Sequence, residues 1–179
     1  MSYDLIKGGE MRRGLVAVVC LAFCGTLLAQ ERWSNEKPGV WAHDKNTITL
    51  TQDGAEYTIK HTAKRDWSFY GFPRIAVKVG ELFKLSGEVK LESAGESSAI
   101  FSVVLRSGEG EVVAWSYGEA HVRKSSSDWQ PVARTFLVPV GVSTIEPRLI
   151  GTGAAVVKAR GLRIERVAEN PYLVTPSSR

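Results

Sequence analysis

Between Lys64 and Phe72 the chain reads Lys-Arg-Asp-Trp-Ser-Phe-Tyr-Gly-Phe, four aromatic rings and three charges in one short stretch. An aromatic ring offers a flat apolar face, and a charged head beside it offers fork-like hydrogen bonds. That pairing suits a ligand with an apolar face and a rim of hydroxyls, which is what a sugar ring presents. Alternation buries Phe69 with either Trp67 or Phe72 and leaves Tyr70 outward, so Trp67 is either a ligand contact or a buried plug at one end of the domain. Trp115 and Tyr117 sit two apart and therefore share a face. They form either a stacking platform on a sheet surface or part of a core with Ala114 and Ser116 outside. Arg106, Arg134 and Arg148 fall within expected strands, where an arginine snorkels to water or, on a concave face, grips hydroxyls or a uronate carboxylate. Trp129, placed before Val132 and Phe136, reads as a core-capping ring. Trp33 and Trp41, in the leading segment, carry no reading.

Signals for catalysis are weak. His43, His61 and His121 have no metal-ligand spacing, there is no Gly-x-Ser-x-Gly elbow, and no glycine-rich phosphate loop opens a helix. Glycoside hydrolysis needs two carboxylates roughly 5–10 Å apart across a cleft. Asp66, Glu88, Glu96, Glu109, Glu111 and Glu119 are available, as solvated surface charges are in any soluble domain. No catalytic residue and no metal ligand is therefore assigned. The formal charge of +4 is mild and its lysines and arginines are scattered, which argues against a nucleic-acid partner.

The N-terminus is the plainest signal. Arg12-Arg13 is followed by an apolar run from Gly14 to Ala29, shorter than the roughly 20 residues a bilayer span needs. It reads as a secretory signal peptide over residues 1–29, with Met11 a better start than Met1 and 1–10 a mis-started extension. The expected destination is the secreted, periplasmic or cell-surface space, with no membrane span in the processed chain. Both cysteines, Cys20 and Cys24, lie in this segment, so the processed chain holds neither disulfides nor thiolate metal sites. Phe23 is too bulky for the small residue that usually precedes a lipid-modified cysteine.

The elements that would position these side chains are strands. No convincing helix follows Ala29; apolar residues alternate and turn residues punctuate them. Thr47–Thr51 alternates strictly, Asp53-Gly54 marks a hairpin, and Tyr57–Thr62 is its partner. In Leu82–Glu92, Leu85, Gly87, Val89 and Leu91 share the core face, while Lys84, Ser86, Glu88, Lys90 and Glu92 face water. Further strands fall at 75–79, 98–106, 112–117, 129–138, 144–150 and 154–167, with Pro147 arguing for an edge or a bulge. The total is about nine short strands, a pattern that predicts an all-β sandwich of two sheets. Residues 30–45 form a leading segment, 46–167 the sandwich, and 168–179 a flexible tail.

Several of these strands resemble a known family. The stretches Gly80-Glu-Leu-Phe-Lys-Leu-Ser-Gly-Glu-Val-Lys90, Trp129-Gln-Pro-Val-Ala-Arg-Thr-Phe-Leu-Val-Pro139 and Arg148-Leu-Ile-Gly-Thr-Gly153 resemble the jelly-roll carbohydrate-binding modules of the galactose-binding-like superfamily, of the xylan- and glucan-binding type. The likeness covers residues 40–167 and implies a jelly-roll sandwich that binds a glycan or polysaccharide without catalysis. Contacts would come from Trp67, Tyr70, Arg106, Trp115, Tyr117 and Arg148. Trp67 takes its place at the binding cleft from the resemblance alone. The modules often hold a structural calcium on an acidic residue in the last strand. Lys158, Ala159 and Arg160 stand there instead, so no cofactor is expected. The alternative is a structural or protein-interaction sandwich, with a secreted or surface protein as partner and no sugar site.

Overall fold

The computed structural model describes residues 31–93, 96–122 and 125–167; the expected signal peptide with Cys20 and Cys24, and the tail, lie outside the described residues. Among the described residues there are twelve strands: β1 Arg32–Ser34, β2 Gly39–Ala42, β3 Ile48–Asp53, β4 Glu56–His61, β5 Asp66–Tyr70, β6 Ile75–Ala76, β7 Leu82–Ser93, β8 Ser98–Arg106, β9 Val112–His121, β10 Ser126–Leu137, β11 Thr144–Thr152 and β12 Ala155–Arg166. The excess over the expected nine comes from β1, β2 and β5, each too short to show a period. One 3-10 turn, Lys45–Thr47, precedes β3, with the Asp44 side chain accepting from the Asn46 N–H.

All pairings are antiparallel. The first sheet runs β10-β7-β12-β4-β3, with β1 added beside the end of β12; the second runs β2-β5-β11-β8-β9, with β6 added beside β11. The leading segment thus supplies a strand to each sheet. The sheets face each other across a core that includes Phe83, Leu85, Val89, Phe101, Ile145 and Leu149, all at most 1% exposed. Aromatic pairs tie the layers: Tyr57 meets Phe69 at 5.0 Å, and Tyr117 meets Phe136 edge-on at 5.7 Å. Centroids at these separations add to the area term.

The alternation expected for β7 holds for Leu85, Val89 and Leu91. Ser86 is the exception. It lies on the outer face yet is buried, opposite Arg163 and Ala133 in the adjacent strands. Trp129 does not cap the core. It stands on the outer face of the first sheet, with the Arg160 guanidinium 4.1 Å and the Lys90 ammonium 4.8 Å from its ring.

Two expectations about strands change. Pro147 argues for an edge or a bulge, yet β11 is the central strand of its sheet and its pairings carry no register shift. On one side β11 pairs with β5 only over Leu149–Thr152 and with β6 only over Thr144–Ile145. Residues 146–148 therefore have no ladder partner on that side. A residue without an N–H fits beside such a gap.

The second change concerns β9. Its inward residues are Ala114, Tyr117 and Ala120, every third position, opposite Leu105, Val103 and Phe101 on β8. Register shifts between these pairs insert an extra residue each time. Tyr117 therefore turns inward onto Phe136 while Trp115 turns out, and the two rings do not share a face.

Gly118 sits in one of these irregularities with φ +63°, and a Cβ there would fall 2.5 Å from Phe136 Cδ1. Gly118→Ala should cost about 1–3 kcal/mol through backbone strain and overpacking. Urea unfolding monitored by circular dichroism checks this; an unchanged midpoint would remove the strain argument for β9.

Candidate functional site: a groove on the outer face of the second sheet

Because odd-numbered residues of β5, β8 and β11 face the core, even-numbered ones lie on the outer face, where Ser102 is nonetheless covered. Most of them line a groove of about 830 Å³. Its floor is largely apolar, with Ile100, Val104 and Ile150, and Ser68 beside them. Registers define its rows. Trp41 lies across from Ser68, Ser68 from Ile150, and Ile150 from Ile100. Further along β11, Arg148 lies across from Ser102 and Glu146 from Val104.

The walls are aromatic. Trp41 on edge strand β2 is 54% exposed and Trp115 on edge strand β9 is 63% exposed. Four strand spacings separate β2 from β9, about 19 Å. Tyr70, 42% exposed, stands beside Trp41 on β5. Its ring lies over Gly39, where a Cβ would fall 2.7 Å from Tyr70 Cε2. The chain ahead of β2 is pinned to this place: Glu36 and Lys37 donate backbone N–H groups to the Gly71 carbonyl at 3.0 and 3.2 Å, and Asn35 Nδ2 donates to the Tyr70 carbonyl at 3.0 Å.

Charge gathers at one end. Glu146 Oε2 accepts from Arg74 Nε at 3.3 Å and lies 3.6 Å from Arg106 Nε. Arg106 Nη1 donates to the Gly110 carbonyl at 3.1 Å. Arg148 Nη2 donates to the Trp115 carbonyl, and its guanidinium carbon is 5.4 Å from the Trp115 ring centroid. Burial pulls the Arg148 guanidinium below its ordinary value; Glu146 opposes this and Arg106 adds to it. An arginine remains charged through any such shift. At the other end Asp66 lies opposite Thr152 on β11. Asp66 and Glu146 are thus six residues apart along β11, about 20 Å.

Of the residues singled out in the sequence, Tyr70, Arg106, Trp115 and Arg148 come together in this groove. Trp67 borders it from beneath: its ring is in the core and only 1% exposed, so it presents no stacking face. The reason is parity, since Trp67 and Phe69 point inward together. Tyr117 is elsewhere, packed on Phe136 at a separate opening between β9 and β10 that Arg134 also borders. Trp41, Glu146 and Arg74 were missed. A signal for Trp41 exists in Gly39-Val40-Trp41-Ala42, where Val40 and Ala42 turn inward, but it spans one strand of four residues.

No group of three His, Cys, Asp or Glu side chains converges as a metal site among the described residues. Where the resemblance puts a calcium carboxylate, Lys158 pairs with Glu56 at 3.6 Å and Arg160 with Glu88 at 2.8 Å. These cations do not fit a calcium ion.

The two tryptophan classes separate in stability. Trp67→Ala should cost about 3–5 kcal/mol by emptying a core site. Trp41→Ala should stay within about 0.5 kcal/mol. Paired thermal and urea unfolding checks this, and equal losses would mean that Trp41 is not the exposed ring described.

No family model matches the chain, and no curated protein matches it by sequence. Solved structures do. The enzymatically active domain of bacteriophage CBA120 tailspike protein 4 aligns with a TM-score of 0.54 and 14% identity, over 75% of this chain and 19% of that one. The CBM22-1–GH10 modules of the Clostridium thermocellum endo-1,4-β-D-xylanase 10B, complexed with xylohexaose, align at 0.53 and 14%, over 77% of this chain and 27% of that one. A CBM4 structure aligns at 0.52 and 14%, over 76% of this chain and 95% of that one. This chain therefore spans only about a fifth to a quarter of the first two, and nearly all of the third. At such identities the shared property is the architecture alone, a two-sheet jelly-roll sandwich.

Proposed function

We propose that this protein is an exported, non-catalytic glycan-binding domain whose site is the groove on the outer face of the second sheet. The observation that carries this reading is the pair of exposed tryptophans, Trp41 and Trp115, on opposite edges of one apolar-floored groove with arginines between them. An exposed ring that the core does not need is a stacking face, and a polysaccharide is a row of apolar faces with hydroxyl rims. The arginines supply directional donors to those hydroxyls.

The separation of the groove's carboxylates supports the non-catalytic part. Asp66 and Glu146 are about 20 Å apart, twice the widest spacing of a glycosidase pair. Glu146 is also held by Arg74. The binding part is supported by two of the three aligned structures, which are described as CBM modules, one alone and one with a GH10 module in complex with xylohexaose. The N-terminal segment, read as a signal peptide, would deliver the domain to where polysaccharides are met.

The test is affinity electrophoresis of the processed protein through gels containing plant, algal or host polysaccharides. At least one should retard it. Trp41→Ala and Trp115→Ala should each weaken that binding roughly ten-fold, as removal of an interface anchor does. Their unfolding midpoints should stay near wild type. Retardation by no polysaccharide in the panel, or retention unchanged in both variants, would overturn the assignment.

A further inference from the structure

We propose that the groove selects acidic glycans, with a uronate carboxylate held by Arg148 and Arg106 while the sugar ring rests against Trp115. This rests on the glycan-binding reading of the same groove and adds the chemical class of the ligand.

The close ion pairs do not balance at this end. Arg74, Arg106 and Arg148 stand around the single carboxylate of Glu146. Glu109 and Glu111 flank Gly110 in the β8–β9 hairpin beside Arg106, and no ion pair joins either to an arginine of the groove among the described residues. Asp66 faces Thr152, four residues along β11 from Arg148, about 13 Å away. That exceeds the screening length of about 8 Å at physiological ionic strength. Glu119, on β9 beyond β8, is engaged by His121 at 2.9 Å.

The two inner guanidiniums are also under-bonded. Each makes one hydrogen bond among the described residues, to a backbone carbonyl: Arg106 to Gly110 and Arg148 to Trp115. Both Nε atoms are buried without a hydrogen-bond partner. The 3.6 Å from Arg106 Nε to Glu146 is too long to count as one. What remains is Arg106 Nη2 and Arg148 Nη1, terminal donors with no protein partner on residues that line the groove. A partly desolvated guanidinium that shares one counter-charge with two others gains more from a carboxylate than from a neutral hydroxyl. The carboxylate's planar pair of oxygens fits the planar donors better than a point contact does. Trp115 completes the subsite. Arg148 holds its carbonyl and lies over its ring, so the stacking face and the cation are fixed together.

The test uses matched polymers. The processed protein is titrated calorimetrically in about 0.15 M salt, where the screening length is short, with polygalacturonate, alginate and glucuronoxylan, and with the carboxyl-reduced form of each. Reduction turns every uronate into its neutral sugar and leaves the linkage intact. The expected result is that at least one acidic form binds about ten- to hundred-fold more tightly than its reduced form, the range for a charge-assisted contact. Arg148→Gln should erase that preference, and Arg106→Gln serves where Arg148→Gln fails to fold by circular dichroism. Equal binding of acid and reduced forms, or binding of the reduced forms alone, would overturn the inference while leaving glycan binding intact. Binding of dextran sulfate as tightly as the preferred uronan would overturn it too, by showing unspecific attraction to polyanions. Binding of none of the polymers, with no neutral polysaccharide retarding the protein either, would take down the glycan reading itself.

Discussion

Phe69, Phe101, Leu105, Ile145 and Leu149 all face the first sheet, and once they do, the alternate residues of their strands have no choice of side. Burial of apolar area, at about 25 cal/mol per Å², sets that choice. A slip of one residue would expose the whole set. Everything in the groove follows from this parity. Tyr70 is outward because Phe69 is inward, and Arg148 is outward because Leu149 is inward. The same rule removes Trp67 from the site, since it lies two residues from Phe69.

Parity is also what made most of the fold legible. In Leu82–Glu92 the period of two is long enough to read from residue types alone. It fails where a strand is short or bulged. Gly39–Ala42 gives too few positions for Trp41 to be assigned a face, although the structure places it on the groove's edge. On β9 the inward residues recur every third position, because the strand carries an extra residue between successive pairs with β8. Spacing of two then no longer means a shared face, and Trp115 parts from Tyr117. Such irregularity is at home on an edge strand, where it also discourages pairing with another chain.

Pro147 shows a different limit. A proline argues against a central strand only if both neighbours run its full length. Here β5 and β6 divide one flank of β11 between them and leave 146–148 unpaired on that side. No local pattern in the chain announces such a division, because it depends on residues 66–76 meeting residues 144–152. The gap has a consequence for charge. Glu146 and Arg148 lie within it on either side of Pro147, and Arg74, in the connection between β5 and β6, reaches Glu146. The proline that looked like a mark of an edge therefore sits at the charged end of the groove.

The arrangement separates two kinds of work. Trp41 and Trp115 stand on the edge strands, where they can be exposed without breaking the core, and Arg148 and Arg106 stand on the inner strands β11 and β8 at the charged end of the groove. An arginine at the centre carries a desolvation cost that an exposed one avoids. Arg148 bears that cost with one backbone carbonyl and a ring beside it. A sandwich needing only to fold would be served as well by a threonine or valine facing out from β11, as Ile150 does two residues later. A charge kept on the floor of an apolar groove, its Nε without a hydrogen-bond partner among the described residues and its guanidinium braced against an exposed tryptophan, is a feature that the packing of the two sheets does not by itself require.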